Sequence, residues 1–285
     1  GRRFKVQIKY EPTMYVPSRK ITNYTTLNGD YLEPFKAGGI RDTRDFIKKY
    51  EDVEGFKIYG QNRFEYAFIA EQHPDTVEWD QEKVLIAIID IEVGSENGFP
   101  DPYKADEPIT AIGVKFINGE MIVFGCGDYQ VKGNETYIKC QNELSLCHKF
   151  LELWSKKCPD IVTGWNIKFF DIPYLVNRFR KLLGEDETKK LSPWAYISDR
   201  KTRVNNRELI AYGLLGISTL DYIELYKWYA PGGKSQESYR LDNIAQVELG
   251  EGKISYEDYD NLHSLYRLNY QLFIEYNIKD VELII

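Results

Sequence analysis

Val84–Val93 reads VLIAIIDIEV, an apolar decapeptide interrupted only by two carboxylates. Aliphatic character sustained over that length predicts a strand covered on both faces, hence the centre of a sheet. Side chains alternate across a strand, so Asp90 and Glu92 share one face while Ile91 takes the other. Two carboxylates in such a setting are costly unless a cation neutralises them. No Lys or Arg lies between Lys83 and Lys104, so a divalent metal site is expected ahead of a pair of local salt bridges.

Outward from this strand, Ile109–Phe116 and Met121–Phe124 flank Asn118-Gly119, a strong hairpin signal. Glu143–Lys157 has the period of an amphipathic helix, Asp160–Trp165 reads as a short strand, and Asp171–Leu183 as a helix closed by Gly184. Leu191–Gly216 reads as less regular. Helices are expected from Asp221, from Leu241 and from about His263 to the end. Strands in a run, then strands alternating with helices, predict an α/β fold with a mixed sheet flanked by helices. On the other side, Glu71–Glu82 (EQHPDTVEWDQE) is polar and holds a proline. A domain boundary is expected there, dividing residues 1–80 from residues 81–285. Residues 1–80 read as a smaller β-rich domain. Arg2–Tyr10 is its expected first strand, with turns at Asn28-Gly29 and Gly38-Gly39 and one helix near Arg41–Tyr50.

Composition narrows the function. A net charge of −7 argues against a protein that grips duplex nucleic acid with a broad basic face. It leaves open a nucleic-acid enzyme whose carboxylates hold metal ions, because bound cations reverse the local sign. Only three histidines are present, which nearly excludes histidine-based chemistry. Cys126, Cys140, Cys147 and Cys158 form no CxxC pair, so free thiols in a reducing compartment are expected, and with them a cytosolic location. The longest apolar run, Val84 to Ile89, is far too short to span a membrane, and no membrane partner is expected.

Two further segments carry carboxylates: Trp165–Asp171 (WNIKFFD) and Tyr276–Asp280 (YNIKD). Alone, Asp171 heads a helix and reads as an N-cap. Tyr276 and Asp280, at i and i+4, read alone as an exposed helical pair. Together, Asp90-Ile91-Glu92, Asn166-x-x-x-Phe170-Asp171 and Tyr276-x-x-x-Asp280 resemble the three exonuclease motifs of the DEDD superfamily in its tyrosine branch. GFPDPYKA (Gly98–Ala105), PDIVTGWNIKFFDIPYLVNRFRKLLG (Pro159–Gly184), RKTRV (Arg200–Val204), GISTLDYIELYK (Gly216–Lys227) and YRLDNIA (Tyr239–Ala245) extend the likeness. They are similar to the proofreading part of family B DNA polymerases, above all those of T-even-type bacteriophages. The resemblance is strong over residues 84–285 and looser over residues 1–83, which look like the amino-terminal domain of such enzymes.

This resemblance implies a ribonuclease H-like sheet and 3′→5′ hydrolysis of single-stranded DNA ends by two divalent ions, Mg²⁺ or Mn²⁺. Asp90, Glu92, Asp171 and Asp280 would hold them, Asp90 as the bridge, and together supply about −4 of charge from hard oxygen donors. Tyr276 would orient the attacking water. Asn166 would lie beside the terminal nucleotide, and Phe170 and Phe99 would stack on unpaired bases. Arg200, Lys201 and Arg203 either touch phosphates or form a solvated surface. The implied partners are single-stranded and primer–template DNA, the remainder of a polymerase chain and replication proteins, in the cytoplasm of a phage-infected bacterium. No acidic polymerase motif is present, so polymerisation is not expected of these residues. Thr202–Tyr212 reads as shorter than the β-hairpin with which phage relatives help to separate primer from template. The alternatives are an exoribonuclease of the same superfamily and a catalytically silent nucleic-acid-binding module.

Overall fold

The computed structural model describes residues 6–75, 78, 80–94, 96, 98–204, 207–229 and 236–284. The chain divides into two compact units, Gly1–Gln81 and Glu82–Ile285.

In the first unit, β1 (Met14–Pro17), β2 (Tyr24–Thr25) and β3 (Tyr31–Phe35) form an antiparallel sheet in the order β1-β3-β2. Gly29, at φ 89°, supplies the left-handed residue of the β2–β3 turn. Two helices follow, α1 (Ile40–Tyr50) and α2 (Phe64–Gln72). The Asp42 carboxylate accepts the Gly39 N–H at 2.9 Å and so closes the first turn of α1. The α2 helix departs from the single helix expected, because FEYAFIAEQ mixes apolar and acidic residues without a one-sided period. Val6–Tyr10 forms no strand, since alternation without a pairing neighbour builds no ladder. Residues 2–5 of the expected opening strand lie outside the described residues, as do Thr76, Val77 and Trp79 of the polar stretch.

The second unit is built on a mixed six-stranded sheet. Its strands are β4 (Ile86–Val93), β5 (Ile109–Phe116), β6 (Met121–Gly125), β7 (Thr136–Lys139), β8 (Ile161–Gly164) and, further along, β11 (Ser218–Asp221). Their order is β11-β8-β4-β5-β6-β7. The β4–β5 and β5–β6 pairs are antiparallel, while β6–β7, β4–β8 and β8–β11 are parallel. This is the ribonuclease H-like arrangement, with β4 inside the sheet as its apolar run requires. β7 carries no clear signal in sequence: TYIK is short, and its residues are half-buried or exposed.

Helices cover both faces of the sheet. Ala87, Ile89, Ile91 and Val93 of β4 join a core with residues of α3 (Glu143–Lys157) and α4 (Asp171–Leu183), among them Leu146, Phe150, Leu175 and Phe179. Ile88 joins a second core, shared with Phe273, Ile274, Tyr276 and Val281. Asn142 caps α3 by accepting the Ser145 N–H at 2.9 Å. The short α5 (Glu185–Thr188) follows α4 and leads towards β9 (Ile197–Val204) and β10 (Arg207–Leu214).

β9 and β10 form a separate antiparallel pair, in register from Ile197↔Leu214 to Val204↔Arg207. A regular hairpin therefore replaces the irregular segment expected at Leu191–Gly216. The SDRKTR run of β9 has no apolar alternation to mark it as a strand. Asn205 and Asn206, within the short segment noted above, lie outside the described residues.

The remaining helices are α6 (Tyr222–Tyr229), α7 (Leu241–Leu249), α8 (Leu262–Leu268) and α9 (Tyr270–Glu282). The single terminal helix expected is split in two. The Asn269 side chain accepts the Leu272 N–H at 3.1 Å and starts α9 afresh. Among the described residues no helix is long and apolar enough to cross a membrane.

Candidate active site

The pleat of β4 decides where the carboxylates go. Asp90 and Glu92 are in step with Ile88, so they project towards α9 and away from the α3/α4 core. There they meet Asp280, and one oxygen from each of Asp90, Glu92 and Asp280 lies within 4.8 Å of the others. Glu92 is 7% exposed and Asp280 3%.

Asp171 is also only 3% exposed and is the first residue of α4. Its Oδ1 accepts the N–H of Ile91 at 3.0 Å, in the backbone between Asp90 and Glu92. The cap position belongs to Phe170, which makes no side-chain cap bond, so Asp171 ties the helix to β4 rather than closing its own first turn. Tyr276 and Asp280, one turn apart on α9, are likewise buried and not an exposed pair.

Crowding of like charges away from water shifts these groups. Burial, then Glu92, Asp280 and Asp171, raises Asp90 well above the carboxylate range. Burial, then Asp280, lifts Glu92 to about 8. Burial lifts Asp171 to about 7 against bonds from two backbone amides. Asp280 is raised by burial, with Lys253 pulling the other way. Burial followed by Asp280 also raises Tyr276, so its phenol keeps its proton at neutral pH.

Three residues complete the site that sequence reasoning did not single out. Lys253 arrives from a polar loop with no motif around it. Its Nζ bonds Asp280 Oδ2 and donates to Tyr276 Oη at 3.0 Å. Burial works against its charge, but Asp280, Tyr276 and Asp90 outweigh that, and it is held charged. Asn277, hidden between Tyr276 and Asp280 in the quoted motif, donates to Asp90. Asp221, at the end of β11, accepts the N–H groups of Asn166, Lys168 and Ile223 at 3.0–3.1 Å. It thereby pins the turn before α4, where Asn166 takes a left-handed φ of 64°. Only the position of Asp221 at the head of an expected helix, in a segment already quoted, could have marked it.

The donor set suits a hard divalent cation. It consists of carboxylate oxygens alone, and Asp280 Oδ1 is buried without a hydrogen-bond partner among the described residues. Among the described residues no ammonium or guanidinium is bonded to Asp90, Glu92 or Asp171. Among the described residues one lysine thus faces four carboxylates, and the rest of their charge must be met by protons or by cations.

The remaining residues singled out in sequence are mostly exposed. Asn166 is exposed. Phe99 is 87% exposed, and its ring lies 5.4 Å from that of Phe170, which in turn packs on the core. Arg200, Lys201 and Arg203 are exposed on β9, where Lys201 pairs with Glu208 at 2.7 Å.

Comparison with known proteins gives concordant matches. The model of the exonuclease domain of DNA polymerase family B matches residues 57–244, a range that includes Asp90, Glu92 and Asp171 and stops short of Tyr276 and Asp280. The chain is 33% identical to the DNA-directed DNA polymerase of Escherichia phage RB69, over 99% of this chain and 34% of that protein. It is 31% identical to the DNA-directed DNA polymerase of Enterobacteria phage T4, over 97% of this chain and 33% of that protein. It is 26% identical to the DNA polymerase catalytic subunit of Alcelaphine herpesvirus 1, over 65% of this chain and 19% of that protein. The chain thus spans about a third of the length of the phage polymerases it matches.

Proposed function

The chain belongs to the exonuclease-domain family of the family B DNA polymerases, and from that premise we propose that it is the proofreading part of a phage-type replicative polymerase, removing nucleotides from single-stranded DNA 3′ ends. The observation that carries this reading is the meeting of the half-buried Asp90 with the buried Glu92 and Asp280 within 4.8 Å, in a chain of this family. Residues 1–80 are read as the amino-terminal domain of such an enzyme and residues 81–285 as its exonuclease domain.

Asp90, Glu92, Asp171 and Asp280 would hold two divalent ions, Mg²⁺ or Mn²⁺. Bound ions supply activation of water and stabilisation of the charge that develops on the scissile phosphate. The protein holds the rest of the geometry. The buried Tyr276 phenol keeps its proton and serves to orient water, not to act as a base. Asp221 fixes the turn that presents Asn166 to the terminal nucleotide. The Phe99–Phe170 pair offers aromatic faces to unpaired bases, worth about 1–3 kcal/mol per stacked base without reading sequence. The partners this implies are single-stranded and primer–template DNA, the rest of a polymerase chain and replication proteins, in the cytoplasm of an infected bacterium.

Lys253 is the observation that favours a silent binding module, since it already neutralises part of the cluster. End-labelled single strands and paired duplexes, incubated with and without Mg²⁺, separate the readings. Metal-dependent shortening from the 3′ end, faster on unpaired DNA, is expected. Activity that survives excess chelator, or binding without any cleavage, contradicts the proposal, and cleavage of RNA alone would favour the exoribonuclease.

A further inference from the structure

Asn277 is fully buried on α9. Its Nδ2 donates to Asp90 twice, to the carboxylate Oδ2 at 2.8 Å and to the backbone oxygen at 3.3 Å. Its Oδ1 is also buried, yet bonded to nothing among the described residues. Turning the amide over would set Oδ1 against the Asp90 backbone oxygen, which can only accept, so the need for a donor there fixes which end faces β4. An amide that merely joined helix to strand would find partners at both ends. Here the acceptor end goes unmet while the donor end is used twice.

The neighbouring strand makes room for this arrangement. Gly113 of β5 is the register partner of Asp90. A Cβ at Gly113 would come within 2.6 Å of Asn277 Oδ1, so any side chain there would press on the amide.

We infer that Asn277 is a positioning residue which, with Gly113 clearing its place, holds the Asp90 carboxylate in one orientation for a divalent cation. This rests on the metal-site reading above. Outer partners of metal ligands typically change metal affinity by about 10–100-fold when lost.

The test titrates the full chain, Asn277→Leu and Gly113→Ala with Mn²⁺, following the free ion by electron paramagnetic resonance, with thermal melts in parallel. Mn²⁺ affinity is expected to fall about 10–100-fold in Asn277→Leu and to fall also in Gly113→Ala. The double variant should bind no more weakly than Asn277→Leu, because Gly113 acts through the amide. KM for a single-stranded 3′ end should stay unchanged while kcat falls at fixed Mn²⁺. Affinity within about twofold of the parent, with only a lowered Tm, would make Asn277 a structural bond and overturn the inference. If Asn277→Leu does not fold, Gly113→Ala decides by the same criterion. A parent chain that binds no Mn²⁺ defeats the metal-site reading itself, a result distinct from a parent and variants that bind equally well.

Discussion

The two faces of β4 are made by the same eight residues and differ in what they contribute. On one, Ala87, Ile89, Ile91 and Val93 are packed beneath α3 and α4. On the other, Ile88 gives way to Asp90 and Glu92 beneath α9. Full burial of each aliphatic side chain stabilises the fold by about 1.5–3 kcal/mol, whereas each buried carboxylate works against it. The apolar face can therefore carry a like-charged cluster that would otherwise push the strand towards solvent. Position along the strand decides nothing here; the parity of the residue number does.

If that division holds, changes on the two faces should separate cleavage from stability. The largest effect is expected from Asp90→Ala with Glu92→Ala. One preorganised electrostatic contact is worth about 10²–10³ in rate, so losing both should lower metal-dependent cleavage by at least that factor while the chain still melts cooperatively. On the opposite face, Ile89→Ala should lower stability by about 2–5 kcal/mol in denaturant titrations. Its cleavage per folded molecule should stay near the parent's. A double alanine variant that cleaves normally, or an Ile89→Ala variant as inactive as it, would break the comparison.

A smaller effect sharpens it. Burial first, with Asp280 next for Glu92, lifts Glu92 from 4.5 to about 8, and burial lifts Asp171 from 3.8 to about 7. The folded chain thus keeps protons that the unfolded chain has already released. That contribution is complete below the unfolded values and is lost as pH rises through the folded ones. Between about pH 5 and 8 the metal-free parent should therefore lose Tm relative to the double alanine variant. A flat or opposite trend in parallel melts would contradict this. The smallest effect belongs to Tyr276→Phe, which keeps the ring against Tyr256 and loses a hydroxyl bonded to Lys253. About 1 kcal/mol, a several-fold fall in rate with little change in Tm, is expected.

What sequence reveals divides along similar lines. The apolar run of β4, the hairpin at Asn118-Gly119 and the α3 and α4 helices are legible because each repeats a local pattern over many residues. The β9–β10 hairpin is not, because the SDRKTR run of β9 is polar on both sides and takes its order from backbone pairing with β10, whose Tyr212 and Leu214 pack on the core. At the site, Asp90 and Glu92 announce themselves by being charged where their neighbours are not. Asp171, Tyr276 and Asp280 are ambiguous alone and gain meaning only from resemblance in combination. Lys253 stays invisible for a different reason. Its partners Asp280 and Tyr276 are more than twenty residues away, and only the packing of its loop on α9 brings them together. Asp221 and Asn277 touch backbone and carboxylate through contacts of the same long-range kind.

The central claim, that the acidic face of β4 is a cation site, is tested most directly by calorimetric titration of Mn²⁺ into the metal-free chain at about pH 7, in two buffers of different ionisation enthalpy. Cations must displace the protons held by the raised carboxylates. The account predicts binding to the parent with net proton release, and loss of that binding in Asp90→Ala with Glu92→Ala. Equal binding by parent and double variant, or a parent that takes up no Mn²⁺, would contradict it.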